Sequence, residues 1–439
     1  MTDDTIVALA GAALQAVAII RLSGEQAKTI AGKILKDPII DQPANTIYHN
    51  YVTNDNKIVD EVLVSCFKAP LSYTGEDVVE INIHGGRYLG NKIVDLLIQT
   101  GARLAEPGEF TERAFLNGKL DLSQAEAIND LIRATTAFNA EKAISGLGGS
   151  ISKLINELTE EIKGILENLE VNIDYPEYDD VTQLSQELIK PQLIKWEKAI
   201  ADIIVRSETG LLIKEGILTV IVGEPNVGKS SLLNALLQEN RALVSAIAGT
   251  TRDYLEEEIV IDNLHLRLID TAGLREAHDD LEKMGIEKTE ELIDKAQLVI
   301  LVLDATKELS DYEKDLLIKI QDKEHIIVAN KSDLAEGKLG IKISAINNDI
   351  ESLISELKKR YDSDRLLSSP TLNSYRQLGL IKQAETSLRS ALKAIEEERE
   401  LELVAIDINQ AYANLCDILG RYNRMDLIES IFRDFCLGK

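Results

Sequence analysis

The run Gly223-Glu224-Pro225-Asn226-Val227-Gly228-Lys229-Ser230-Ser231 follows an apolar stretch, Ile217 to Val222, and leads into an apolar pattern of helical spacing. That order of strand, glycine loop and helix fits G-x-x-x-x-G-K-[ST], the pattern of a phosphate cradle. Glycines let backbone N–H groups converge on an anion at a helix N-terminus. Lys229 brings a point charge to the outer phosphates, and the Ser230 hydroxyl is suited to ligate magnesium. The segment from Asn226 through Ser231 is therefore the expected seat of a nucleotide's phosphates.

Four further elements follow in order. Gly249-Thr250-Thr251-Arg252-Asp253 places Thr251 where a hydroxyl can complete a magnesium shell and close over a terminal phosphate. Asp270-Thr271-Ala272-Gly273 ends a second apolar run, with a carboxylate that can hold magnesium through water and a glycine N–H that can sense the terminal phosphate. Asn330-Lys331-Ser332-Asp333 ends a third; the Asp333 carboxylate can accept the ring N–H and exocyclic amine hydrogens of guanine, whereas adenine would leave a buried carboxylate unpaired. Ser344-Ala345 is the expected backstop for the base. The expected nucleotide is GTP. Leu274 occupies the place where many GTPases carry a water-positioning glutamine, so Glu276, Asp279, Asp280 and Glu282 are candidates for that task.

Positioning these loops requires alternating strands and helices, and the runs Ile217 to Val222, Leu264 to Ile269, Leu298 to Leu303 and Ile326 to Ala329 predict a doubly wound sheet over 216–363. Residues 1–118 mix short β-rich runs (Val17 to Leu22, Val62 to Phe67, Val78 to Ile83) with a helical stretch from Gly90 to Gln99, which predicts a small α/β domain. From Lys119 strand signals vanish. Leu154, Leu158, Ile162, Ile165, Leu166 and Leu169 predict one apolar face of a long helix, with a bend at Tyr175-Pro176-Glu177. Helix-rich sequence returns after about Asp364, so 119–215 and 364–439 are expected to form one helical domain with the nucleotide domain inserted between its halves.

The 439 residues carry 74 acidic and 48 basic side chains, a net charge of −26. Such a balance opposes autonomous binding to a phosphate backbone, so a nucleic-acid substrate would need a basic partner. No apolar run reaches the roughly 18 residues of a membrane span, and Met1-Thr2-Asp3-Asp4 lacks the layout of a signal peptide, so a cytoplasmic protein is expected. Cys66, Cys416 and Cys436 are too few and too scattered for a disulfide framework or a zinc site.

Gly-Thr-Thr-Arg-Asp and Asp-Thr-Ala-Gly-Leu-Arg-Glu resemble the tRNA-modifying GTPase family MnmE (TrmE). So do Ser72-Tyr73-Thr74-Gly75-Glu76-Asp77, His84-Gly85-Gly86, the run from Pro107 to Lys119, and Phe435-Cys436-Leu437-Gly438-Lys439. The resemblance covers nearly the whole chain. It implies an α/β N-terminal domain that binds a tetrahydrofolate (5,10-methylene or 5-formyl) and makes a homodimer, a discontinuous α-helical domain, and an inserted Ras-like P-loop G domain. The implied partner is the flavoprotein MnmG, in a heterotetramer that modifies carbon five of the wobble uridine of certain tRNAs with an aminomethyl or carboxymethylaminomethyl group, without a membrane.

In that reading the G domains pair across their nucleotide faces, Glu282 orients water, and potassium supplies the charge that an arginine finger gives elsewhere. Asn226, Ser245, Ile247 and Thr250 would hold the potassium, and the loop Ser245-Ala246-Ile247-Ala248-Gly249-Thr250 would line the nucleotide. Arg21, Glu80, Lys119 and Lys439 would contact the folate: a carboxylate suits the amide-like pterin edge, and cations suit the glutamate tail. From Leu9 to Ala16 the chain departs from the family's Thr-Pro-x-Gly turn and carries helix-favouring residues, so the pocket rim is expected to differ. A regulatory switch in ribosome assembly is the alternative; the acidic helices after the G domain speak against it, because that class carries a basic RNA-binding appendage.

Overall fold

Runs of β-branched and aliphatic residues form the strands of two sheets, and the stretches of helical periodicity form the helices around them. A computed structural model describes residues 4–11, 15–174, 186–239, 256–261, 263–269, 282–337, 339–361, 363–422, 431–433, 435 and 438. They divide into two compact units. One takes in Met1–Arg133, Gly146–Leu193 and Thr386–Lys439, the other Ala134–Ser145 and Ile194–Glu385.

In the first unit, β1 (Ile6–Ala10), β2 (Val17–Ser23), β3 (Thr46–Asn54), β4 (Lys57–Phe67), β5 (Val78–His84) and β6 (Arg103–Leu104) pair in the order β3-β4-β5-β2-β1-β6. Neighbours are antiparallel except β1 and β6. Period-two alternation sends Val7, Ile20, Leu22, Val64, Ile81 and Ile83 to one face, where Ile93, Val94 and Leu97 of the helix Arg87–Gln99 cover them. The opposite face carries Ile6 and Ala8, packed with Phe110 of the helix Glu109–Leu116 and with Tyr73.

The long helix runs over Ser150–Asp174 and packs on Leu401–Ile418. Its buried stripe is Ile151, Ile155, Leu158, Ile162, Leu166 and Leu169, while Leu154 and Ile165 lie half-buried along its borders. The expected bend at Tyr175-Pro176-Glu177 lies outside the described residues; helix is again present over Gln186–Glu215.

In the second unit β7 (Ile217–Val222), β8 (Glu256–Ile261), β9 (Leu264–Ile269), β10 (Leu298–Asp304), β11 (His325–Asn330) and β12 (Ile341–Lys342) pair in the order β12-β11-β10-β7-β9-β8. Only β8 runs antiparallel to its neighbour. Helices cover both faces, so central β10 is buried at all seven positions and reads as a continuous apolar run rather than an alternating one. This is the Ras-like P-loop arrangement, and β7 stands where successive connections depart to opposite sides.

Among the described residues no helix is long and apolar enough to cross a membrane.

Candidate functional site

β7 delivers the chain to the phosphate loop, whose shape depends on residues that tolerate unusual backbone angles. Gly223 has φ 146° and Gly228 φ 99°, and Asn226 adopts the left-handed region at φ 65°. Space is as restrictive as angle. A Cβ on Gly223 would stand 2.2 Å from the Val302 carbonyl oxygen, and one on Gly228 2.2 Å from Asn330 Nδ2. Val227 anchors the loop by burying its side chain in the core with Leu232 and Val302. The helix Lys229–Glu239 begins directly after the loop, so its first N–H groups face the same space.

Lys229 Nζ donates to the carbonyls of Gly223 (2.8 Å) and Glu224 (2.7 Å), which holds the ammonium against the loop backbone. Ser230 Oγ is shielded from solvent and has no hydrogen-bond partner among the described residues. Such buried hydroxyls are uncommon, and an oxygen-seeking cation satisfies one. The Ser230 hydroxyl therefore fits one ligand of a magnesium ion. Ser231 follows, half-buried, on the first turn of the same helix.

Asn330 joins this loop to the base-recognition end. Buried at the end of β11, it donates through Nδ2 to the Val227 carbonyl (2.8 Å) and accepts through Oδ1 from the Ala345 N–H (3.0 Å). Lys331 is left-handed (φ 64°), and its Nζ meets Asp304 Oδ2 at 2.6 Å. Burial alone would raise the Asp304 carboxyl, but hydrogen bonds from Lys331 and Thr306 outweigh it and lower the pKa to about 2. The lysine's stem is thereby fixed. Asp333, exposed, accepts from Ser344 Oγ at 2.7 Å, and Ser344 Oγ in turn accepts from Asn347 Nδ2 at 2.9 Å. One carboxylate oxygen is thus oriented, while no described residue bonds the other, which leaves it to donors on a ligand.

The structure brings together Asn226, Val227, Gly228, Lys229, Ser230, Ser231, Asn330, Lys331, Asp333, Ser344 and Ala345. Ser245, Ala246, Ile247, Ala248, Gly249, Thr250, Thr251, Asp270, Thr271, Ala272 and Gly273 lie outside the described residues, as do Glu276, Asp279 and Asp280. Glu282 opens the helix Glu282–Lys295, with its side chain outside the description.

In the first unit, cross-strand register sets Arg21 opposite Glu80, and Arg21 Nε donates to Glu80 Oε1 at 2.8 Å. The guanidinium lies over the rings of Tyr73 (5.2 Å) and Phe110 (5.6 Å), so the pair sits in an aromatic corner with 16% and 20% of the two side chains exposed. Tyr73 OH and Thr111 Oγ1 are 2.8 Å apart. Lys119 Nζ donates to the Pro70 carbonyl (2.9 Å), and its stem lies beside Gly75, on the loop that carries Tyr73. Lys439 and Cys436 are outside the described residues, but Gly438 packs its backbone on Leu9 and Ala10. At the atypical segment, Leu9 and Ala10 belong to β1, Gly11 has φ 123°, residues 12–14 lie outside the description, and the Gln15 carbonyl occupies the space a Gly85 side chain would need.

Asp304 and Thr306, which support the base-recognition end, lie in no motif, whereas Tyr73 and Phe110 fall within family motifs but were given no role by them; strand pairing and packing bring all four to these sites. A second such group is ionic. Arg113 bonds to Asp4, Glu76 and Glu109, and Arg103 to Asp4 and Glu109. Burial would raise the Asp4 carboxyl, yet Arg103 and Arg113 hold it at about 2. This network binds the start of β1 to the helix Glu109–Leu116 and to the 74–77 loop.

Two family models match, one described as the GTP-binding protein TrmE N-terminus over residues 5–119, the other as the MnmE helical domain over 122–436. The tRNA modification GTPase MnmE of Ligilactobacillus salivarius is 41% identical over 442 residues, spanning 97% of this chain and 95% of the relative. The protein of the same name from Acholeplasma laidlawii is 42% identical, spanning 96% of each. Among solved structures, a variant of Aquifex aeolicus Era bound to GDP.AlF4- aligns at 23% identity and a TM-score of 0.25, over 39% of this chain and 66% of that one. The chain is a GTPase and belongs to the MnmE family, whose curated members are named tRNA modification GTPases.

Proposed function

We propose that this chain binds GTP with magnesium, hydrolyses it with potassium stimulation, and works as a homodimer with the flavoprotein MnmG. Together they would modify carbon five of the wobble uridine of certain tRNAs in the cytoplasm, using a tetrahydrofolate one-carbon unit. The observation that carries the nucleotide reading is the Asn330 tie, which couples the loop preceding Ser230 to the backbone beside Asp333. Lys229 and Ser230 meet the outer phosphates and magnesium; Thr251 closes over them; Glu282 orients the attacking water. Magnesium supplies charge neutralisation at the outer phosphates. Potassium, held by Asn226, Ser245, Ile247 and Thr250, adds a positive charge where negative charge develops.

The half-buried Arg21–Glu80 pair supports the folate reading, because a carboxylate and a cation over aromatic rings suit a pterin with an anionic tail. Lys119 and Lys439 complete the proposed set. Val17, Ile47 and Leu63 are exposed on the same side of the sheet, which supports a second copy of the chain as its cover. The net charge of −26 fits a division of labour in which a basic partner holds the tRNA.

The experiment is GTP turnover by the purified chain in potassium and in sodium at matched ionic strength, for the wild type and Glu282→Ala. Strong potassium stimulation, with hydrolysis lost in the variant and GTP binding kept, is expected. Equal rates in the two salts would leave a GTPase and move the reading to a regulatory switch.

A further inference from the structure

The helix Ala137–Leu147 contributes residues to the GTPase unit, although the helices before and after it in sequence, Leu122–Arg133 and Ser150–Asp174, belong to the other unit. Three of its side chains reach the ends of the G domain. Phe138, 1% exposed, is part of the same apolar core as Ile213, Ile217, Tyr361 and Leu366. Asn139 Nδ2 donates to the Lys214 carbonyl at 3.0 Å, three residues before the chain enters β7. Lys142, 7% exposed, donates from Nζ to the carbonyls of Leu366 and of Ser369, the latter at 2.9 Å.

Those two carbonyls lie at the C-terminal end of the helix Ser363–Ser368, where unsatisfied carbonyls carry partial negative charge. The ammonium thus caps the helix by which the chain leaves the G domain, and no carboxylate pairs with it among the described residues. Asn373 closes the circuit: its Nδ2 donates to the Lys142 carbonyl (3.3 Å), and its own carbonyl accepts from Lys214 Nζ (2.6 Å). Leu372 N–H is held by Ser207 Oγ at 3.0 Å.

We propose that residues 134–145 are a clasp belonging to the GTPase module, fastening the outgoing strap 366–373 to the incoming segment 213–217, with Lys142 as its pin. The incoming segment becomes β7, whose far end carries the phosphate loop. The clasp therefore fixes one end of the strand that presents Lys229 and Ser230 at the other. Removing it would loosen the root of the module without touching a residue that meets nucleotide.

Hydrogen exchange on the full chain, with and without saturating GDP, tests this. If the clasp is part of the module, amides of 137–147 and 366–373 open together with those of β7, and GDP slows all three by the same factor. Lys142→Met should speed exchange in 366–373 by about ten-fold, as expected for hydrogen bonds lost to a buried donor, and leave β2 to β5 unchanged. Asn139→Ala should act mainly on the incoming segment. If GDP slows β7 while 137–147 exchanges independently, the clasp is overturned. If GDP slows none of the three, the nucleotide reading fails instead. Should Lys142→Met not fold, the wild-type comparison still decides.

Discussion

A methyl group on Gly228 would stand 2.2 Å from Asn330 Nδ2, the atom that donates to the Val227 carbonyl. The phosphate loop and the base-recognition strand therefore meet at Asn330, which packs against Gly228 and hydrogen-bonds Val227, 103 positions away. Their placement is mutual. Neither loop can shift without disturbing the other.

Gly228→Ala should accordingly displace Asn330 and break its bonds to Val227 and Ala345. A strained φ of 99° adds to two lost buried hydrogen bonds, so GTP affinity should fall by about 100-fold. Asn330→Ala removes the bonds without the clash and should weaken GTP by about ten-fold. Calorimetric titration of both variants checks the order; equal affinity in wild type and Asn330→Ala would mean that the tie does not position the site.

Ser230→Ala separates a metal ligand from a packing residue. Its Oγ has no partner to lose among the described residues, so the nucleotide-free variant should unfold within about 0.5 kcal/mol of wild type. The enhancement of GTP binding by magnesium should instead drop about ten-fold or more, while binding in a chelator stays the same. A fall in thermal stability with unchanged magnesium dependence would assign the hydroxyl to structure.

Asp333→Asn leaves an oxygen to accept from Ser344 but replaces the second carboxylate oxygen with a donor. The variant should lose preference for GTP and gain preference for XTP, whose ring offers an acceptor in place of the exocyclic amine. Competition between the two nucleotides reads this directly. Unchanged selectivity would remove Asp333 from base recognition.

The phosphate loop was legible because local chemistry dictates it: a strand leading into a turn that admits positive φ and a helix N-terminus can be read from the nine residues Gly223 to Ser231 and the apolar run before them. Element positions followed for the same reason, with β7 and β9 found over the runs Ile217 to Val222 and Leu264 to Ile269. Packing is another matter. Helical periodicity says that Leu158 and Ile162 are buried but not by what, and it counted Leu154 and Ile165 in an apolar face at whose borders they lie half-buried, without naming Ile151 and Ile155. The Arg21–Glu80 pair depends on strand register, and Lys142 lies 224 positions from Leu366. Contacts at such separations leave no mark on local pattern, which is why Asp304 beneath Lys331 and the Arg113 network became visible only in the fold.

Lys142 gives the clasp a pH signature of its own. Burial, with a smaller contribution from Arg206 on the helix Gln186–Glu215, depresses its pKa from 10.5 to about 8. The unfolded chain therefore keeps a proton that the folded chain has released between pH 8 and 10.5, and stability rises with pH across that window. Below pH 8 both states hold the proton and the desolvation cost is fully present; losing the proton leaves a neutral amine that still donates to the carbonyls of Leu366 and Ser369. The gain approaches about 3 kcal/mol at the alkaline end. Other lysines and tyrosines titrate there too, so the quantity to measure is the difference between wild type and Lys142→Met in the free energy of opening of 137–147. That difference should grow in favour of wild type as pH rises from 8. A difference flat with pH would mean that burial imposes no net cost on the ammonium at this position, the two carbonyls offsetting it.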